Sequence, residues 1–366
     1  MAGAVAVLGA GNVGCALAAH LTLRDVPVRL WTRSEEPLRP IREAGAITVT
    51  GAVSGVVPIP ALTTSMREAI TGADVVAVTV PTPALPSLAA GLVAECSPDQ
   101  LLWLDPGHSG GALFLAAEFR RAGSPVPRIC QLSTASHGSR KSGPAAVGVF
   151  RLSRAKAGAF PASAFDECAE QLDQLLPGQF GVASTVLELD LMNINAVMHP
   201  AQMVGNASWI EATGGAFCIY QEGTGPGLAR VMDAVDAERL ALADRLGVPA
   251  TSFVEILRDA GYTTPDAARA GRAHPALQAG EAIRAVRAPP TLDHRYLHED
   301  VGWGLVPWVE LARTASVPCP TMDALIELAG VLNGVDYRVT GLTLERMGLE
   351  GRSPEQMLTY VRDGGA

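Results

Sequence analysis

Three groups of residues in this chain have the types and spacing to do chemistry. The first is Gly9-Ala10-Gly11-Asn12-Val13-Gly14, entered from an apolar run at 4–8 and left through an Ala/Leu-rich stretch. Each glycine has a job in holding a dinucleotide pyrophosphate. Gly9 permits the tight turn, Gly11 lets the backbone approach the phosphates, and Gly14 lets the next helix pack on the strand. The helix start adds unpaired N–H groups and a positive dipole end. A glycine-rich turn with no ligand is the bland alternative. The strand–turn–helix order, with a second strand over 26–31, argues against it.

The second group is Asn195, His199, Gln202 and Asn206. If residues 191–206 are helical, these four share one face. A polar stripe on a mostly apolar helix must find partners or border a solvated cleft, because unpaired burial is costly. A lone histidine is more often a satisfied structural residue; one within such a stripe is a functional candidate. Pro200 removes a donor and crowds the turn before it, so a distortion is expected beside His199. The third group is Asp293-His294-Arg295-Tyr296-Leu297-His298-Glu299-Asp300. Here the residues leave two readings open. Asp300 could be an N-cap or first-turn acid and Arg295 a solvated charge, or both could belong to a site.

The elements that must position these groups fall into two halves. The first alternates short apolar runs with helical patterns, which predicts a mainly parallel sheet with helices on both faces. Residues 74–80 form a continuous apolar strand suited to a sheet centre, and 101–104 follow the same plan. Residues 46–50 and 56–59 read as a hairpin excursion, and further strands are expected at 129–132 and 146–152. From about 187 helical periodicity takes over, with stops at Gly247, Gly261 and Gly280. The fold class is therefore α/β: a Rossmann-type doubly wound sheet over 1–182, then an all-α domain over 183–366 for substrate and catalysis. A cleft between the two is the default active site.

Composition narrows the function classes. With 366 residues, 48% of them apolar and 18% charged, the chain can bury a core in each of two domains. A net charge of −9 with no basic stripe speaks against nucleic acid. No apolar run reaches the ~20 residues of a membrane span, and the start lacks the basic region and cleavage site of a signal peptide. Six scattered cysteines, without metal-ligand spacing, read as reduced buried thiols, so a cytoplasmic location and no metal site are expected.

The chain resembles the opine dehydrogenase family, the octopine and nopaline dehydrogenases, over nearly its whole length. The turn at 9–14 fits the family's cofactor loop. Pro106-Gly107-His108-Ser109-Gly110-Gly111-Ala112-Leu113 is similar to its PG-x-TGGAL turn, and Asn195 through His199 to its N-x-x-x-H helix. Residues 222–239 resemble the segment that follows. The run Arg295-Tyr296-Leu297, Glu299-Asp300-Val301 and Gly304-Leu305-Val306-Pro307 resembles its RYL-x-EDV-x-x-GLVP block. The resemblance implies an NAD(P)H-dependent reductive condensation, in which a 2-oxo acid and an amine form an imine that hydride reduces. It assigns His199 as general acid/base, Asp300 as its carboxylate partner, Arg295 as the grip on a substrate carboxylate, and Asn195 as a positioning residue. Asn206 and Arg140 join them as substrate-binding candidates. His137 stands where the family often has Tyr, and Gly302-Trp303 where Pro-Tyr is common, so the acceptor pocket departs and a preformed imine is a further possible substrate.

Cofactor contacts are expected from Gly9, Gly11, Asn12, Val13, Gly14, Thr32, Arg33, Ser34, Val80 and Pro81. No Asp or Glu follows the second strand to bind the ribose hydroxyls of NAD, whereas Arg33 with Thr32 or Ser34 could pair with a 2′-phosphate. NADPH is therefore the expected coenzyme, with NADH the alternative. A ketone reductase of the ketopantoate or glycerol-3-phosphate dehydrogenase type would keep the same plan, but relies on a lysine in the helical domain; this chain has only Lys141 and Lys156. A non-catalytic NADP(H) sensor would not need a proton donor. The partners expected are small molecules (2-oxo acid, amine or imine) and a second copy of the chain as a homodimer.

Overall fold

The computed structural model describes residues 3–365. Two compact units divide the chain: Met1–Leu189 with Thr359–Ala366, and Asp190–Leu358.

In the first unit, strands β1 (Val5–Leu8), β2 (Val28–Trp31), β3 (Ile47–Gly51), β4 (Gly55–Val57), β5 (Ala61–Thr63), β6 (Val75–Val78), β7 (Leu101–Leu104), β8 (Arg128–Leu132), β9 (His137–Gly143), β10 (Ala146–Leu152), β11 (Lys156–Phe160) and β12 (Gly181–Val182) form two sheets. The larger runs β12-β11-β8-β7-β6-β1-β2-β5, and the smaller β4-β3-β10-β9. Strands β1, β6 and β7 are buried at every position, as expected of parallel strands covered on both faces. β1 pairs in parallel with β2 and β6, with Val5 opposite Val28 and Val75. The predicted hairpin exists as antiparallel β3–β4, and it recruits β9 and β10 into the second sheet.

Helix α1 (Asn12–Leu23) leaves β1 through the glycine turn. Gly9 has φ +121°, and a Cβ on Gly14 would lie 1.8 Å from the Gly9 carbonyl oxygen. Only glycine tolerates either position. Thr79, just past β6, donates its hydroxyl to the carbonyls of Leu8 and Gly9 at 3.1 and 3.2 Å, tying the ends of β1 and β6 together. Residues 359–365 are held in this unit by Arg120. Its guanidinium bonds the Tyr360 hydroxyl and, at 2.6 Å, the Gly364 carbonyl, and it lies 4.8 Å from the Tyr360 ring centroid. Lys156 Nζ is tied to Glu188 at 2.6 Å.

The second unit is helical, with one isolated β-bridge between Cys218 and Arg287. The helix Pro226–Leu246 starts on proline and stops at Gly247, whose φ of +67° caps it. Inside the unit Arg239, wholly buried, bonds Asp236 and the Leu191 and Thr251 carbonyls, so its charge is fully engaged. Asn193 caps the Ile194–Gly205 helix by accepting from Asn195 N–H. Pro200 lies inside that helix without ending it. Among the described residues no helix is long and apolar enough to cross a membrane. All six cysteines are free; Cys15, Cys130, Cys168 and Cys319 are buried, whereas Cys96 and Cys218 are only half-buried, against the expectation that all would be covered.

Candidate active site

In the second unit the polar stripe of the Ile194–Gly205 helix does find partners. His199 Nδ1 lies 2.7 Å from Asp300 Oδ2, a contact between residues 101 positions apart. Both are buried, at 5% and 1% exposure. A close approach brings them together. A Cβ on Gly304 would come within 2.7 Å of Ala196 Cβ, so a glycine there lets the π-helical turn Val301–Leu305 press against the helix one turn before His199. Asp300 opens that turn, but its side chain makes no cap bond. It is turned to His199, and its Oδ1 has no hydrogen-bond partner among the described residues.

The other ring nitrogen, His199 Nε2, faces the Tyr220 hydroxyl at 3.1 Å. Tyr296 stacks on the imidazole with ring centroids 3.5 Å apart and planes 9° from parallel. Further along the stripe, Gln202 donates to Thr224 Oγ1 at 2.9 Å, and Asn206, at the helix C-cap, donates to the Gln202 and Gly223 carbonyls. Gln202 and Asn206 thus stitch the helix to the 219–224 loop, and the amide nitrogen of Asn206 is spent there. Asn195 is half-buried, one turn before His199.

Arg295 opens a short helix and holds Glu299 through Nε at 2.7 Å and Nη2 at 2.5 Å. Its side chain is 54% exposed while Glu299 is 3% exposed, so the buried carboxylate aims a solvent-facing guanidinium. Burial drives the His199 imidazolium down from the ordinary histidine range; Arg295 adds to this and Glu299 opposes it. Burial drives the Asp300 carboxyl up, opposed by Arg295. Both groups are therefore pushed toward their neutral forms.

In the first unit the turn after β1 fits a dinucleotide. A Cβ on Gly11 would meet nothing within 4 Å, which is the open cradle a pyrophosphate needs. The N-cap of α1 has no side-chain cap bond, so the first N–H groups of the helix are available. Val13 and Gly14 form its first turn, and Asn12 Oδ1 accepts from Lys141 N–H of β9 at 2.9 Å. Thr32 is buried and bonds the Ser34 carbonyl at 2.6 Å, while Arg33 and Ser34 are exposed. Glu35 pairs with Arg42 at 3.0 Å, which leaves Arg33 without an ion-pair partner among the described residues. Val80 is half-buried, its Cγ1 3.1 Å from a Cβ placed on Gly9, and Pro81 is exposed beside it. Arg140 lies exposed on β9.

A buried polar chain also runs through this unit. Asp105 accepts from the Ser136 amide at 2.7 Å and from its hydroxyl, Ser136 Oγ meets His137 Nδ1 at 2.7 Å, and His137 Nε2 meets His20 at 2.9 Å. Burial raises Asp105 to about 6, against the Ser136 bonds, and lowers His137 to about 3, with His20 adding to the shift. Tyr220 does not stand out in the sequence, where it lies in an aperiodic loop; Tyr296 belongs to the run at 293–300, which assigns it no role.

Comparison with known proteins places these features. Residues 182–333 match the family model for the alpha-helical domain of NAD/NADP octopine/nopaline dehydrogenase. Residues 4–137 match that for the N-terminus of NAD-dependent glycerol-3-phosphate dehydrogenase. An opine dehydrogenase of Arthrobacter sp. (strain 1C) is 35% identical, covering 94% of this chain and 95% of its own length. Vitopine synthase of Allorhizobium ampelinum is 26% identical over 97% and 98%. Octopine dehydrogenase, solved with NADH and agmatine, shares the fold with TM-score 0.80 at 21% identity, covering 97% of each chain. Yersinopine dehydrogenase with NADP+ does so with TM-score 0.76 at 15% identity, over 98% and 97%. The chain belongs to the opine dehydrogenase family, and its reaction is the NAD(P)H-dependent reductive condensation of a 2-oxo acid with an amine.

Proposed function

We propose that His199 and Asp300 hold the proton for this reaction, that Arg295 grips a substrate carboxylate, and that NADPH is the preferred reductant. The observation that carries the reading is the buried 2.7 Å contact between His199 and Asp300. A neutral imine is a poor hydride acceptor, and a proton placed on its nitrogen makes it a good one. Asp300 fixes the imidazole's orientation and tautomer. Arg295, aimed by Glu299, offers the rest of its fork to a carboxylate, which orients the carbon to be reduced. Asn195 borders the same helix face and positions the substrate. Asn206 keeps its side-chain oxygen for a ligand, and Arg140 is a candidate second grip. When bound at the 9–14 turn, the coenzyme supplies the hydride.

Support for the substrates comes from octopine dehydrogenase, whose structures carry NADH with agmatine, L-arginine or pyruvate. By that likeness the chain takes a small 2-oxo acid and an amine or amino acid. NADPH rests on the unpaired Arg33 and on the absence of an acid at 32–34. The test is NADPH oxidation by the purified chain with pyruvate, with and without a mixture of amino acids. Amine-dependent oxidation is expected. His199→Ala should lower turnover about 10²- to 10⁴-fold, the usual worth of a general acid, while NADPH affinity stays unchanged. Full activity in that variant removes the assignment.

A further inference from the structure

A cavity of about 300 Å³ opens in the first unit, at the end of α1 remote from the coenzyme turn. Arg24, the C-cap of that helix, lies about 18 Å along its axis from Asn12. Arg24 and Arg154 stand exposed at the cavity, with His20, Ser153, Leu176 and Pro177 among its walls, and no acidic side chain lines it. Neither arginine has an ion-pair partner among the described residues. Arg24 is nonetheless held in place: its Nε donates to the Leu175 carbonyl at 2.8 Å, which leaves both Nη groups over. Ser153 is 6% exposed, and its hydroxyl has no hydrogen-bond partner among the described residues. The Ser136 carbonyl accepts from the Ser153 amide at 2.9 Å and from Gln179 Nε2 at 2.8 Å, so the wall that carries the hydroxyl is fixed before anything binds. An unpaired buried hydroxyl is costly, and two like charges on one small cavity repel. An anion relieves both. We infer that this cavity binds a small organic phosphate monoester, at a site separate from the coenzyme turn.

The donor set selects the ligand. Arginine forks match phosphate oxygens with paired N–H groups. A monoester carries close to two negative charges at neutral pH and three acceptor oxygens on one centre. Two arginines balance that charge, and the Ser153 hydroxyl supplies a donor from the buried wall. A dicarboxylate has the same charge but divides it between two heads, and one buried donor serves only one of them. Size favours an ester over a bare phosphate. A cavity of ~150 Å³ takes a benzene, so this one has room for a carbon body, for which Leu176 and Pro177 offer apolar surface. His20 does not add a third repelling cation. Its Nδ1 meets His137 Nε2 at 2.9 Å, and burial, with Arg24 adding, holds the ring below the ordinary histidine range. Asp173, the acid closest in sequence to the Leu176 wall, accepts from the Gly178 amide at 2.7 Å and is not part of the lining.

Calorimetry on the full chain saturated with NADPH tests this, because the groups at the 9–14 turn and Arg33 are then already occupied. The probes are glycerol 3-phosphate, succinate and glycerol. Glycerol 3-phosphate should bind in the millimolar range or tighter, succinate about tenfold more weakly, and glycerol not at all. Arg154→Ala and Arg24→Ala should each weaken the phosphate ester about tenfold or more, and Arg154→Glu should abolish its binding. Arg154 is exposed, with no hydrogen bond or ion pair among the described residues, so its variants should melt with the wild type. Ser153→Ala should weaken the ester while leaving the melting temperature equal or higher, since it removes a buried donor that nothing in the chain satisfies. A glycerol 3-phosphate that does not bind overturns the proposal. So does equal affinity for succinate, or an affinity unchanged by the Arg154 or the Ser153 variants. None of these readouts involves turnover, so failure here leaves the roles of His199 and Asp300 standing.

Discussion

Arg33 stands exposed after β2, and the nearest acid in sequence that could have neutralised it, Glu35, is taken by Arg42. A ribose phosphate is the natural partner for such a guanidinium, and a charge-assisted bond is worth about 1.5–3 kcal/mol. Arg33→Ala should accordingly raise the KM for NADPH about tenfold or more and barely move that for NADH. Equal effects on the two coenzymes, in initial-rate measurements, would remove the NADPH preference. At this scale the sequence is readable where a residue's role is local. The stripe from Asn195 to Asn206 follows from helical spacing alone, and so does its need for partners. That His199 would meet Asp300 does not follow from any period, because 101 residues intervene; family resemblance pointed to it. Tyr220 carries no local signal at all, since its place depends on how a loop folds back over the helix.

At the scale of elements, the turn between β1 and α1 is the most demanding piece. Gly14→Ala would drive a methyl group into the Gly9 carbonyl oxygen, 1.8 Å away, and the helix would have to back off the strand. Overpacking of this kind costs about 1–3 kcal/mol. The expected result is a lower melting temperature and loss of the rise that NADPH gives the wild type, both read in one thermal scan. A full NADPH-induced rise in the variant would show that the turn does not hold the coenzyme. The central strands of the large sheet are legible because their burial demands unbroken apolar runs. Strand β9 is not. Residues 137–143 contain no β-branched side chain, and it is the pairing with β10 that makes them a strand. Pro200 carries the opposite lesson. Its chemistry predicts a distortion beside His199, and the helix carries the proline inside its span from Ile194 to Gly205 rather than ending there.

For the whole molecule the buried titratable pairs set a dependence of stability on pH. Asp300 is raised from 3.8 to about 8, so its contribution is full below pH 3.8 and lost as pH rises through 8. His199 is lowered from 6.5 to about 3, so its contribution is full above 6.5 and lost as pH falls toward 3. Between 3.8 and 6.5 the two slopes cancel. From 6.5 to 8 the loss at Asp300 is unopposed, worth about 2 kcal/mol at ~1.4 kcal/mol per pH unit. Asp105 and His137 cancel in the same way between 3.8 and about 6, and add nothing above 6.5. Urea unfolding should therefore show the chain less stable at pH 8 than at 6.5, and Asp300→Asn should flatten that fall. A wild type that gains stability over this interval contradicts the protonated pair.

The pinned amine of Lys156 has its own significance for a protein that works amid keto acids and free amines. Such mixtures modify proteins wherever a lysine offers its nitrogen as a rival nucleophile. Here twenty-six of the twenty-eight basic side chains are arginines, which do not compete, and one of the two lysines is locked to Glu188. A catalyst so poor in available ε-amines gives its own reagents little to attack.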